Sequence, residues 1–145
     1  MARKSILHRI LSDQRAASAV EFALLAPVFF ALMFGVISVG VYMQNYNAIR
    51  SLASDAARFA TVEYQKNNAM NSSTLAANIE AMGVTTPYNL NPNLLTISVS
   101  PVTPSRVNGA LEFDLDITYA LPDIIGGTSI DNITLNYSRP LFVLQ

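Results

Sequence analysis

Residues Ala16–Tyr46 read AASAVEFALLAPVFFALMFGVISVGVYMQNY, and after Glu21 no formally charged residue occurs until Arg50. As a helix rising about 1.5 Å per residue, Phe22 to Met43 covers roughly 33 Å, enough to cross a bilayer core of about 30 Å. The cations Arg3, Lys4, Arg9 and Arg15 precede the run, and the polar Gln44-Asn45-Tyr46-Asn47 closes it. The positive-inside rule then keeps the short N-terminus in the cytoplasm and sends the remainder across. The expected division is a basic cytoplasmic leader at 1–15, a transmembrane helix at 16–44 and an exported stalk helix with an α+β domain at 45–145. Glu21 lies just inside the apolar run, where a carboxylate is costly, so a functional role is its default reading.

The 145-residue chain has a formal net charge of -1, which argues against a nucleic-acid surface. Its charge is divided: cations gather before the apolar run, whereas Glu112, Asp114, Asp116, Asp123 and Asp131 lie in the C-terminal part. Cysteine is absent, which excludes disulfides, thiol catalysis and cysteine-ligated zinc. A removed signal peptide is the competing account of the N-terminus. The apolar run exceeds a signal core of about 7 to 15 residues, and the small-x-small triplet Ser38-Val39-Gly40 falls inside it, so a retained span is expected.

Within the span, Pro27 releases the carbonyl of Ala23 and can kink the helix, which membranes tolerate where neighbouring helices satisfy the backbone. Small residues at Ala16, Ala19, Ala23 and Ala26, then Ala31 and Gly35, suggest a face for close helix–helix contact. The helix is expected to continue to about Gln65, because Ile49, Leu52, Ala53, Ala56, Phe59 and Ala60 keep the i, i+3, i+4, i+7 spacing. Asp55 and Arg58 are spaced for a minor i, i+3 pair. The predicted helix bends near Pro27, and its outer half buries Leu52 and Phe59 under a sheet.

Lys66 to Ser72 reads as a polar breaker. Ser73 to Met82 comes next as a short helix, with Ser72 or Ser73 as cap, Leu75, Ile79 and Met82 as buried edge, and Gly83 as left-handed stop. Thr85 to Asn93, with two prolines and three asparagines, is loop. Strand alternation then appears at Leu95-Ile97-Val99, at Leu111-Phe113-Leu115-Ile117-Tyr119 and at Ile133-Leu135-Tyr137, the last extending past Pro140 through Leu141 to Leu144. Pro101 to Asn108 and Leu121 to Asn132 connect them. The fold class is therefore α+β: a long N-terminal transmembrane and stalk helix, a short second helix, and a small antiparallel sheet of about three strands. Such a sheet needs a cover, and the two helices supply it.

Nothing in the pattern carries catalysis. Glu112, Asp114 and Asp116 share one strand face but lack EF-hand spacing, so they read as a solvated face rather than a metal site. Gly126-Gly127 is followed by no lysine with serine or threonine, so it is not a phosphate loop. The single histidine, His8, precedes the span and cannot serve a catalytic triad beyond it. Sequons at Asn71, Asn132 and Asn136 read as chance. No enzyme activity, cofactor or metal is expected.

Ala17-Ser18-Ala19-Val20-Glu21-Phe22-Ala23-Leu24-Leu25-Ala26-Pro27-Val28, with the apolar run to Phe34-Gly35, resembles the N-terminal signature of the TadE-like pseudopilins of tight-adherence (Tad/Flp) pilus systems. Asn47, Arg50, the alanine-rich Ala53 to Ala57 and Arg58-Phe59-Ala60 are similar to the next helical segment of that family, and the ITLNYSRPLF ending resembles the family more loosely. The resemblance implies a structural minor pilin or pseudopilin of the bacterial inner membrane. Such a subunit is single-pass with a periplasmic C-terminal domain and helps initiate or cap a thin adhesive pilus. Its partners would be other pilins of the Tad system and, for processing, a prepilin peptidase. In that family, as in type IV pilins, the peptidase cuts ahead of a helix whose fifth mature residue is glutamate. Carried over, Glu21 is that residue, Ala17 the new N-terminus, and Ala16 stands where glycine usually precedes the cut. Glu21, Pro27, Ala19, Ala23 and Gly35 would serve helix–helix assembly. The alternative is a single-pass anchored binding module or adhesin whose sheet domain recognises a ligand.

Overall fold

The computed structural model describes residues 14–121 and 133–144. Residues 1–13 of the leader, Asp123, Gly126-Gly127, Asp131 and Asn132 lie outside them. The elements in order are α1 (Gln14–Gln65), α2 (Ser72–Val84), β1 (Leu95–Val102), β2 (Ala110–Ala120) and β3 (Thr134–Leu144). They form the expected α+β arrangement. The chain falls into two compact units, Met1–Gly40 and Val41–Gln145.

α1 runs unbroken through Pro27. It stops where Asn67 turns left-handed at φ 60°. The Asn67 amide donates to the Tyr64 carbonyl at 3.0 Å and the Asn68 amide to that of Glu63 at 3.0 Å. Those two bonds satisfy the last carbonyls in the Schellman manner, with asparagine in the role glycine usually takes. α2 starts one residue earlier than the serine caps predicted, because the Asn71 side chain accepts the Thr74 amide at 2.8 Å. Gly83 does not end α2; it lies inside the helix, which closes at Thr85. A Cβ at Gly83 would stand 2.9 Å from Leu52 Cδ2 and 2.9 Å from Leu95 Cδ2. Close approach of three elements, not a left-handed turn, is what requires glycine there.

The sheet has the order β1-β2-β3, antiparallel throughout. Register places Ile97, Ile117 and Tyr137 side by side, and Pro101, Phe113 and Leu141 likewise. β3 is an edge strand, which is why Pro140 is tolerated inside it. The core lies between one face of this sheet and the helices. α1 supplies Ile49, Leu52, Ala53, Ala56 and Ala60, α2 supplies Leu75 and Ile79, and the sheet supplies Leu95, Leu115, Ile117, Leu135, Leu141 and Val143. Phe59 is only half-buried, contrary to the expectation, because it sits at the margin of this stripe. Met82 is likewise at the margin.

Asp55 does not pair with Arg58 as its spacing suggested. It accepts the hydroxyl of Tyr88, tying the loop after α2 back to α1. Arg139, in register with the inward-facing Leu115 at the sheet edge, donates to Ser54 of α1 at 2.9 Å. A charge pointing inward on an edge strand is a known guard against edge-to-edge pairing.

Candidate assembly surface

Within the Met1–Gly40 unit, the described residues present an apolar helix with no cover. Phe22 is 70% exposed, Leu24 72% and Val36 74%. Soluble monomers rarely leave so large a contiguous apolar surface open, and surfaces of that kind mark membrane or protein contact. Among the described residues one helix, Ala17–Gln65, is long and apolar enough to cross a membrane. Ser38 donates its hydroxyl to the Phe34 carbonyl at 2.8 Å, so this polar side chain is satisfied within the helix itself.

Glu21 stands exposed among these apolar side chains, as do Ala19 and Ala23. Gly35 has open space around it, since a Cβ there would meet nothing within 4 Å. Steric demand inside this chain therefore does not explain Gly35. Pro27 is accommodated without interrupting α1. The Ala16–Ala17 peptide lies within the first turns of α1, and Ala17 is exposed.

Continuous helix geometry also divides the small residues, which the spacing rule had put on one face. At about 100° per residue, Ala19 and Ala23 lie roughly 160° to either side of Glu21. Ala26 shares their face, Gly35 lies within about 40° of Glu21, and Ala31 falls between the two faces, about 80° from each. The helix thus offers a carboxylate with Gly35 on one side and the stripe of Ala19, Ala23 and Ala26 on the other, a form suited to neighbours on two sides.

In the Val41–Gln145 unit, the acidic row on β2 is not the bare solvated face that alternation implied. Glu112 is buried, with 2% of its surface exposed. The loop after β1 folds over it: the Arg106 amide donates to Glu112 Oε2 at 2.6 Å, and the guanidinium pairs with Oε1. The Arg106 hydrogen bonds hold the Glu112 carboxyl below its usual range despite burial, which acts the other way. Asp114 takes the same guanidinium at 3.2 Å, and Asp116 accepts from Ser138. These carboxylates lock a hairpin, and the described residues contain no cluster of metal-ligand type. Arg106 was legible only as a loop cation; the six-residue return to Glu112 depends on the turn. Nor did spacing reveal Tyr88, whose phenol is pushed up to about 12 by burial and by Asp55.

The family model described as TadE-like protein matches residues 16–58. That segment covers Glu21, Pro27, Ala19, Ala23, Gly35 and α1 as far as Arg58, so the resemblance read from Ala17 to Val28 and from Asn47 to Arg58 is shown there. No curated protein and no solved structure matches the chain.

Proposed function

We propose that this chain is a membrane-anchored structural subunit of a Tad-type pilus system, a minor pilin or pseudopilin without catalysis of its own. Its helix assembles with the helices of other pilins and so helps initiate or cap the filament. The observation that carries this reading is the exposed apolar helix bearing one carboxylate, Glu21, inside the TadE-like segment. An ionised group among lipid-facing side chains is strongly disfavoured unless it meets a partner or reaches water. If a prepilin peptidase cuts after Ala16, the ammonium of Ala17 on a neighbouring helix is the natural partner. In the uncut chain, Arg15 or a polar group of another pilin takes that place. Either pairing fixes register between helices more than it adds stability, because desolvating two charges offsets much of their attraction. Within this reading the helix enters the inner membrane with its N-terminus in the cytoplasm.

The test compares wild type with Glu21→Gln and Glu21→Ala in bacteria carrying the pilus system. Membrane insertion and the protease resistance of the C-terminal domain should be unchanged, whereas co-purification with partner pilins and piliation should fall. Undiminished partner recovery in both variants would leave Glu21 reaching water alone and remove the pairing role.

A further inference from the structure

The six tyrosines of the chain divide into two groups. Three engage their hydroxyls inside the domain. Tyr64 donates to the Met70 carbonyl at 2.9 Å, Tyr88 donates to Asp55, and Tyr119 accepts the Asn91 amide at 3.4 Å. The other three, Tyr42, Tyr46 and Tyr137, form one cluster and have no hydrogen-bond partner for their hydroxyls among the described residues. Tyr42 and Tyr46 stack with centroids 6.4 Å apart and planes 2° from parallel. Tyr46 meets Tyr137 edge to face at 6.5 Å and 82°. Tyr42 is 41% exposed and the other two are half-buried.

The cluster has a definite place. Tyr42 and Tyr46 flank Met43, the last residue of the apolar run, and the exposed Arg50 lies one turn further on. Far along α1, Tyr64 meets Phe113, whose register partner on β3 is Leu141. β3 therefore runs from the level of Tyr46 toward that of Tyr64, and its first residues lie at the end of the domain where the apolar run stops. Ile133, just ahead of β3, is 48% exposed. Apolar, then aromatic, then cationic side chains succeed one another along α1, the order in which a bilayer passes from hydrocarbon through carbonyls to phosphates. A phenol has an apolar body and a tip that needs a polar partner, so it suits that middle layer.

We propose that Tyr42, Tyr46 and Tyr137 form an aromatic anchor seated in the headgroup layer of the bilayer, with their hydroxyls bonded to lipid carbonyl and phosphate oxygens. The anchor joins α1 to the edge strand of the sheet, so it fixes the height of the domain above the membrane. The inference rests on the membrane-span reading but not on a role in a pilus.

The chain contains no tryptophan, so single tryptophans report position without interference. Full-length Tyr42→Trp and Tyr137→Trp would be reconstituted in phosphatidylcholine vesicles carrying a quencher either on the headgroup or deep in the acyl chain. Phe30→Trp serves as the span control and Val62→Trp as the aqueous control. The anchor predicts that both tyrosine-site variants lose most intensity to the headgroup quencher, Phe30→Trp to the deep one, and Val62→Trp to iodide in solution. A Phe30→Trp variant indifferent to the deep quencher would remove the span and the anchor with it. With the control behaving as a span residue, a Tyr137→Trp variant answering only to iodide, or to no quencher, overturns the anchor and leaves the span intact. Tyr46→Trp carries the same expectation and replaces Tyr137→Trp should that variant lose the circular dichroism of the folded domain.

Discussion

Replacing Gly83 with alanine sets two quantities of known size against each other. Alanine exceeds glycine in helix propensity by about 0.8 to 1 kcal/mol, and Gly83 lies inside α2. Opposing this, the new methyl would stand 2.9 Å from the terminal carbons of Leu52 and Leu95. Leu52 is 0% exposed and Leu95 5%, so neither can swing into solvent, and overpacking of this kind costs about 1 to 3 kcal/mol. The net expectation is a loss of about 0 to 2 kcal/mol where propensity alone promises a gain. Leu52→Ala alone should cost about 2 to 5 kcal/mol through the cavity it leaves. In that background the methyl at position 83 enters the vacated space, so the double variant should lose less than the sum, by about 1 kcal/mol, within the range for contacting residues. Urea unfolding of the full chain in mild detergent, followed by tyrosine near-ultraviolet circular dichroism, supplies the four corners of the cycle. Additivity within about 0.5 kcal/mol, or a Gly83→Ala variant stabilised by the full propensity difference, would refute the three-way contact of α1, α2 and β1.

Two pH dependences arise in the domain. Tyr88 has its phenol raised from 10.0 to about 12, first by burial and then by Asp55. Its contribution is complete below pH 10 and is lost as pH rises through 12, so stability should fall across that window in wild type but much less in Tyr88→Phe. Glu112 has the opposite sign: Arg106 holds its carboxyl below the ordinary 4.5, so its contribution is present above that value and is lost as pH falls through the lowered one. Glu112→Gln should flatten the acid limb of a stability profile measured by urea midpoint, and an unchanged slope below pH 4.5 would contradict the hairpin lock.

Periodicity made the fold legible because each element faces a different surround. The leucines, isoleucine and phenylalanine of β2 alternate cleanly since one face meets the core. α1 keeps its stripe through Ala60 since that stripe alone is covered. What stayed hidden depends on distance in sequence. Glu112 reads as solvent-facing by alternation, and only the return of Arg106 across the hairpin buries it. Gly83 reads as a stop because glycine after a helical run usually is one; the crowding by Leu52 and Leu95 comes from two other elements. Asp55 had a local candidate in Arg58 and a distant partner in Tyr88, and the distant one holds. On the exposed apolar part of α1, Glu21 and the absence of a cover were readable from composition, because that part is apolar all round. The division of small residues between two faces was not, since offsets of three and four had to be traced across the gap from Ala26 to Ala31.

α1 meets two kinds of surroundings with one backbone. From Ala17 to Gly40 its described residues are apolar around the whole helix and largely exposed, so no single face is marked for a core, and only Ser18, Glu21 and Ser38 depart from that character. The second half has its stripe, and the domain core draws on α1 from Tyr46 onward and on no described residue of the span. The folding of the domain therefore does not require the side chains that would mediate assembly. That independence makes a Glu21 variant informative: its domain should unfold at the wild-type urea concentration even where partner recovery is lost. A coupled loss would mean that the span contributes to the core, contrary to the packing of the domain on Ile49, Leu52 and Ala56. Under the proposed function, separation of this kind would let the first half exchange lipid for neighbouring helices while the second half stays folded.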